Sequence, residues 1–193
     1  MTPKVLEKLI ELDEKLFLQL NALRADWLDP VMLTFTGSVI WIPLYLFILY
    51  FVFKDYGKQS FWFLMGIGLA ILFADQVASA LMKPYFGRLR PCHDERWLDD
   101  INNYGGCGGM FGFVSSHSSN AFAVATYFTL VFWGKRNWVG WLFLWAAMYA
   151  FTRVYLGVHY PGDIIVGAIV GIVGAVLSWL VAVFLKNYFT KAP

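Results

Sequence analysis

Residues 163–185 read DIIVGAIVGIVGAVLSWLVAVFL: after Asp163, 22 residues pass without a charge, a proline or a side-chain amide. A helix needs about 20 mostly apolar residues to cross the hydrocarbon part of a bilayer. This stretch therefore predicts a membrane span, and Gly167, Gly171 and Gly174 within it suit close helix packing. Working back toward the N-terminus, the same test predicts spans at residues 31–53 (with Pro43 inside), 60–82, 116–133 and 138–155.

The composition agrees. Of 193 residues, 59% are hydrophobic and only 15% charged, where a soluble domain carries about a quarter charged. Mean hydropathy is +0.58. The expected fold class is all-α: an integral membrane helical bundle of about five transmembrane helices, in a single domain over residues 1–193. A net charge of +2 is too small to argue for a nucleic-acid partner. In the N-terminal segment, residues 1–28, Val5, Leu6, Leu9, Leu12, Leu16 and Leu20 fall at helical spacing among charges. This predicts an amphipathic helix lying on the membrane or against the bundle, the alternative being a loosely ordered leader. It lacks the unbroken apolar core of a cleavable signal peptide, so none is expected.

Charge sets the orientation. Lys54, Lys58, Lys135, Arg136, Lys186 and Lys191 gather on one side, where the only acid is Asp55. The positive-inside rule makes that side cytoplasmic. The N-terminal helix, a long polar loop at residues 83–113 and a short loop at 156–162 then face outward.

The chemistry collects on that outer side. Lys83, Arg88, Arg90 and Pro91 follow the second span, Ser115-Ser116-His117 opens the third, Arg153 ends the fourth, and His159 and Asp163 lead into the fifth. Lys83, Arg90 and Arg153 make a cationic cluster suited to phosphate, with Arg able to grip it bidentately. Free backbone N–H groups at Ser115, Ser116 and His117 add an anion site. Of two histidines, one can attack phosphorus and the other protonate the leaving alkoxide. An Asp four residues after a His can fix its tautomer.

Lys83-x6-Arg90-Pro91, Ser115-Ser116-His117 and Arg153-x5-His159-x3-Asp163 together resemble the three motifs of the type 2 phosphatidic acid phosphatase family, over roughly residues 75–185. The resemblance implies that His159 is the nucleophile forming a phosphohistidine, Asp163 orients it, and His117 is the general acid. Lys83, Arg90 and Arg153 would clamp the phosphate with help from Ser115 and the backbone at Ser116 and His117. No metal or other cofactor is implied. Val114 and Ser116 depart from the family's usual Pro and Gly, and Thr152 replaces a Ser. Relatives often have six spans, against five counted here.

Other residues carry alternatives. Cys92 and Cys107 would close a loop of about 15 residues if the outer side is oxidising; two free thiols, or a zinc site with His93 that lacks ligand spacing, are the competing readings. Asp75, inside the second span, is a candidate support residue that pairs with a cation or a neighbouring helix, or a structural polar contact. Arg88 either touches a second phosphate or headgroup or is a solvated loop charge. Trp27, Trp41, Trp62, Trp133, Trp138 and Trp141 lie near span ends, as an interfacial belt would.

The function expected is hydrolysis of a lipid phosphate monoester or diphosphate at the outer face of a bacterial plasma membrane. Undecaprenyl diphosphate or a broad range is favoured, with phosphatidylglycerol phosphate, phosphatidic acid and lipid A phosphate as further substrates. Transfer of the phosphate to an alcohol acceptor and non-enzymatic lipid-phosphate binding or transport are the alternatives. The resemblance predicts that phosphate release from lipid phosphates survives millimolar EDTA and is inhibited by vanadate, a mimic of pentacoordinate phosphorus. Loss of activity on chelation, restored by a divalent metal, would contradict it.

Overall fold

The apolar run at 163–185 lies within one helix of 30 residues, Pro161–Thr190. At 1.5 Å per residue it is about 45 Å long, more than a hydrocarbon core of about 30 Å. The computed structural model describes residues 3–190; Lys191, counted among the inner-side cations, lies outside them. The helices are α1 (Pro3–Asn21), α2 (Asp29–Phe35), α3 (Ile42–Tyr56), α4 (Ser60–Asp75), α5 (Lys83–Phe86), α6 (Ser116–Val131), α7 (Trp141–Tyr155) and α8 (Pro161–Thr190).

The packing is inverted relative to a water-soluble protein. On α8 the large side chains Ile165, Ile169, Val173, Leu177, Leu180 and Phe184 are exposed, while Gly167, Gly171, Gly174, Ala175, Ser178 and Ala182 are buried. Between helices in lipid, small residues allow close backbone approach, and large apolar ones face the acyl chains. The glycines are needed for that approach. A Cβ at Gly167 would stand 2.6 Å from the Ser115 carbonyl oxygen, and one at Gly174 would stand 2.5 Å from the Phe73 ring. Helix α8 thereby seats against α6 and α4, and α7 covers the other side of α6. Hydroxyls join the backbones: Ser118 Oγ donates to Ile164 O at 2.6 Å, Ser119 Oγ to Ala74 O at 3.2 Å, and Tyr127 OH to Phe63 O at 2.8 Å.

The spans match expectation except the first. Instead of one helix over 31–53, the chain forms α2, breaks at Thr36-Gly37-Ser38, and restarts through a short turn, Val39–Trp41, into α3. Pro30 and Pro43 each sit in a helix's first turn, where the missing N–H costs nothing. Trp41 Nε1 donates across the break to Phe35 O at 2.9 Å. The second span runs on from α4 through π-helical turns at Gln76–Met82 into α5. At the end of the bundle away from α1, Arg136 pairs with Asp55 at 2.8 and 2.5 Å. Trp27, Trp133 and Trp141 are exposed as a belt requires, whereas Trp41 and Trp138 pack against the core.

The outer loop is compact. Leu89 and Phe111 form an antiparallel bridge, and a disulfide joins Cys92 to Cys107. This is the disulfide-closed arrangement among the readings open for the two cysteines. In the chain-entropy account a loop of this size stabilises by roughly 3 kcal/mol. Helix α1 caps the same end of the bundle: Phe17 is wholly buried, and Asn21 Nδ2 donates to Tyr155 O at 2.8 Å.

A Cβ at Gly171 would lie 2.1 Å from the Ser119 carbonyl oxygen, while one at Gly68 meets nothing within 4 Å. Gly171→Ala should therefore destabilise the protein in detergent by about 1–3 kcal/mol, and Gly68→Ala should not. Equal melting temperatures for the two variants would contradict the close α6–α8 contact.

Candidate active site

Helix α6 begins at the site because Ser115 caps it: its Oγ accepts from Ser118 N at 3.4 Å, and its own amide donates to Asp163 O at 3.0 Å. The starts of α6 and α8 are thus joined directly. Ser115 is wholly buried and spent on this junction, not presented to a cavity. Ser116 Oγ instead accepts from Lys83 Nζ at 3.2 Å. His117 follows, its ring stacked on Tyr149 with centroids 5.8 Å apart.

The short loop before α8 holds the second histidine. The amides of Val158 and His159 both donate to Arg153 O, at 3.0 and 3.2 Å, closing the end of α7. His159 and Asp163 are 1% and 0% exposed, and His159 Nδ1 donates to Asp163 Oδ2 at 3.1 Å. The same carboxylate oxygen accepts from Tyr160 N at 3.0 Å. With Asp163 ionised, this bond places the imidazole proton on Nδ1 and leaves the Nε2 lone pair free. Burial pushes the His159 pKa down to about 4, against the opposing hydrogen bond and charge of Asp163.

The cations converge as expected, each held by a neighbour. Arg90 Nη1 donates to Cys107 O at 2.8 Å and Nε to Phe111 O at 3.3 Å, so the disulfide-closed loop aims this guanidinium. Arg153 Nη1 donates to Thr36 Oγ1 at 2.9 Å, and its Nε is buried without a partner. Lys83, Arg90, Arg153 and His159 all lie close enough to act electrostatically on His117. His117 stands where two cavities meet. The outer one, about 290 Å³, is lined by Arg90, Arg153 and the Gly105–Gly108 turn; the inner one, about 500 Å³, by apolar groups such as Ile48, Ile67, Ile71 and Trp145. Among the described residues, no cluster of three His, Cys, Asp or Glu has the arrangement of a metal site.

Both support candidates have partners within the protein. Asp75 accepts from Ser79 Oγ on its own helix at 3.3 Å, not from a neighbouring helix, and lines the inner cavity. Arg88 turns inward, away from the look of a solvated loop charge, and pairs with Asp163 at 3.1 Å and with Asp13 at 2.8 Å. Sequence reasoning passed over Thr36 and Gly112. A Cβ at Gly112 would crowd Asp163 Oδ2 at 3.0 Å and Arg90 Cγ at 3.3 Å, so the close approach of the loop to the pair favours glycine. The signal at Thr36 was a polar residue inside an apolar run; Gly112 carried none.

The PAP2 superfamily model matches residues 61–187, which spans α4 to α8 and every motif above. The chain belongs to the PAP2 superfamily. Its relatives include proteins described as lipid A 4'-phosphatases from Bacteroides thetaiotaomicron (38% identical, covering 92% of this chain and 80% of the relative) and Porphyromonas gingivalis (32%, 87% and 72%). Among solved structures, Aquifex aeolicus LpxE superposes with a TM-score of 0.67 at 27% identity, covering 86% of this chain and 94% of that one. The Bacillus subtilis PAP2-type phosphatidylglycerolphosphate phosphatase, at TM-score 0.64 and 22% identity over 100% and 90% of the two chains, shares the fold. The membrane bundle and the lipid-phosphatase class expected from the sequence are those of this superfamily and its relatives.

With burial holding its pKa near 4, His159 should remain neutral well below the usual histidine range of about 6.5. Nitrogen NMR of histidine-labelled protein in micelles should show the neutral Nδ1–H pattern for His159 down to about pH 5. A titration midpoint near 6.5 would refute the buried, Asp-paired state.

Proposed function

We propose that this PAP2 protein hydrolyses the phosphate ester of a lipid at the outer face of a bacterial plasma membrane, as a single membrane-embedded domain using a phosphohistidine. The observation that carries the reading is the position of His117 at the meeting of a cationic outer cavity and an apolar inner one. An amphiphile fits that junction one way round: phosphate on Arg90, Arg153 and Lys83, hydrocarbon between α3, α4, α6 and α7, and the scissile bond at His117.

Each residue then has one task. His159 Nε2 attacks phosphorus while Asp163 holds the Nδ1 proton. The P–O bond to the lipid alcohol breaks, and protonated His117 gives its proton to the leaving oxygen. Lys83, Arg90 and Arg153 stabilise the charge on the equatorial oxygens. Water then attacks the phosphohistidine, His117 takes its proton, and inorganic phosphate departs. Two facts support an outward-facing site: the inner side collects Lys54, Lys58, Lys135 and Lys186, and the loop over the site carries a disulfide, a bond of oxidising compartments.

For the lipid, the sequence alone favoured undecaprenyl diphosphate or a broad range. The two relatives named for lipid A 4'-phosphate shift the choice, and we take a phosphate of lipid A as the first substrate, undecaprenyl diphosphate as the second. Phosphate release across lipid A, undecaprenyl diphosphate, phosphatidylglycerol phosphate and phosphatidic acid should show highest kcat/KM for lipid A. His159→Ala should abolish release and leave no acid-labile phosphoenzyme, and His117→Ala should slow it by roughly 10²–10⁴-fold. Near-normal turnover in His159→Ala would overturn the assignment of the nucleophile.

A further inference from the structure

Helix α1 presents three faces. Val5, Leu9, Leu12 and Leu16 are exposed along one line, and Lys4, Glu7, Lys8, Glu11 and Lys15 form a charged stripe beside it. An apolar stripe flanked by charge is the pattern of a helix lying in the membrane interface. The third face turns into the protein. Phe17 meets the Tyr160 ring edge-on at 5.2 Å, and Glu14 pairs with Arg96 at 2.8 Å.

That third face reaches the reacting pair. Asp13 Oδ1 accepts from Gly162 N, in the first turn of α8, at 2.6 Å. Its Oδ2 lies 2.8 Å from Arg88 Nη2, an ion pair without hydrogen-bond geometry. Arg88 Nη1 donates to Asp163 Oδ1 at 3.1 Å, and its guanidinium lies 3.9 Å over the Tyr160 ring. The oxygens of Asp163 are thus divided: Oδ2 serves His159 and Tyr160, and Oδ1 serves Arg88.

We propose that Asp13 and Arg88 are positioning residues of this enzyme, an interfacial helix and an outer-loop arginine that together hold the Asp163 carboxylate, and through it His159, in the attacking state. The inference rests on the reading of His159 as nucleophile. Its physical basis is the cost of a wholly buried carboxylate. Neutral His159 supplies Asp163 with a donor but no counter-charge, and Arg88 supplies the charge. Lys83 and Arg90 also act on Asp163, at longer range. A buried carboxylate stripped of its partner tends to take a proton. It would then donate to Nδ1, moving the imidazole proton to Nε2, the atom that must attack. Asp13 keeps Arg88 from swinging into the cavity and ties the first turn of α8 to α1.

The test compares Arg88→Met, Arg88→Lys, Asp13→Asn and the double variant Asp13→Asn/Arg88→Met in full-length protein, assayed on a soluble short-chain lipid phosphate. Arg88→Met should lose roughly 10- to 100-fold in kcat with KM within about threefold of wild type. Its acidic limb should move to higher pH, so that activity recovers in part on raising the pH. Arg88→Lys should restore much of kcat, Asp13→Asn should lose less than Arg88→Met, and the double variant should be no worse than Arg88→Met alone, as for two members of one network. A kcat within twofold of wild type in Arg88→Met, an effect on KM alone, or additive losses would overturn the proposal. If Arg88→Met fails to fold, Asp13→Asn decides: a lowered kcat with a shifted acidic limb supports the proposal, and an unchanged profile overturns it. His159→Ala is run alongside. Turnover there defeats the nucleophile assignment, whereas an inactive His159→Ala with unaffected Arg88 and Asp13 variants defeats the positioning role alone.

Discussion

A carboxylate with no exposed surface, Asp163 at the opening of α8, is the constraint around which the outer end of this protein is arranged. A buried charge is tolerated only when its lone pairs and its charge are both met. Three donors from two segments do this: the His159 ring, the Tyr160 amide and the Arg88 guanidinium. The carboxylate's demands and the imidazole's chemistry are satisfied by the same bond. What the fold requires for stability also sets the tautomer that leaves Nε2 unprotonated, the state the proposed nucleophile needs.

The distance between the two histidines is in turn a packing property. His117 rides on the first turn of α6 and Asp163 on the first turn of α8, and Ser115 N donating to Asp163 O locks these turns together. That register holds because glycines let the two backbones approach, and because the Ser118 hydroxyl bridges them where neither water nor a hydrophobic driving force operates. The break between α2 and α3 has a corresponding use. It places Thr36 against Arg153, aiming one clamp residue, as the disulfide-closed loop aims Arg90.

The inner cavity extends this logic to substrate. Its walls belong to α3, α4, α6 and α7, and the polar groups on them, among them Asp75, Ser116, His117 and Asn120, come largely from the outer ends of α4 and α6. His117 lines both cavities, so apolar walls on one side of it give way to charge on the other.

Legibility followed the range of each interaction. Hydropathy and helical period are local, so the bundle, four of its five spans and the amphipathic α1 could be read directly; the first span was misjudged because prolines mark helix starts only once a break is known. Motif spacing is local too, and His117, His159, Asp163, Lys83, Arg90 and Arg153 were all named from it. What the chain order hid were partners brought together by docking. Asp13 and Gly162 lie 149 residues apart, Arg88 and Asp163 75 apart, and the inward turn of Arg88 contradicts its look as a loop charge. The residue types and their periods determined that this protein is a membrane bundle with a cluster of cations and histidines at one end, and the resemblance of its three motifs gave that cluster its expected phosphate chemistry. Only the tertiary structure decided which charges neutralise which, because the cost of burying a charge depends on everything packed around it and not on its neighbours in sequence.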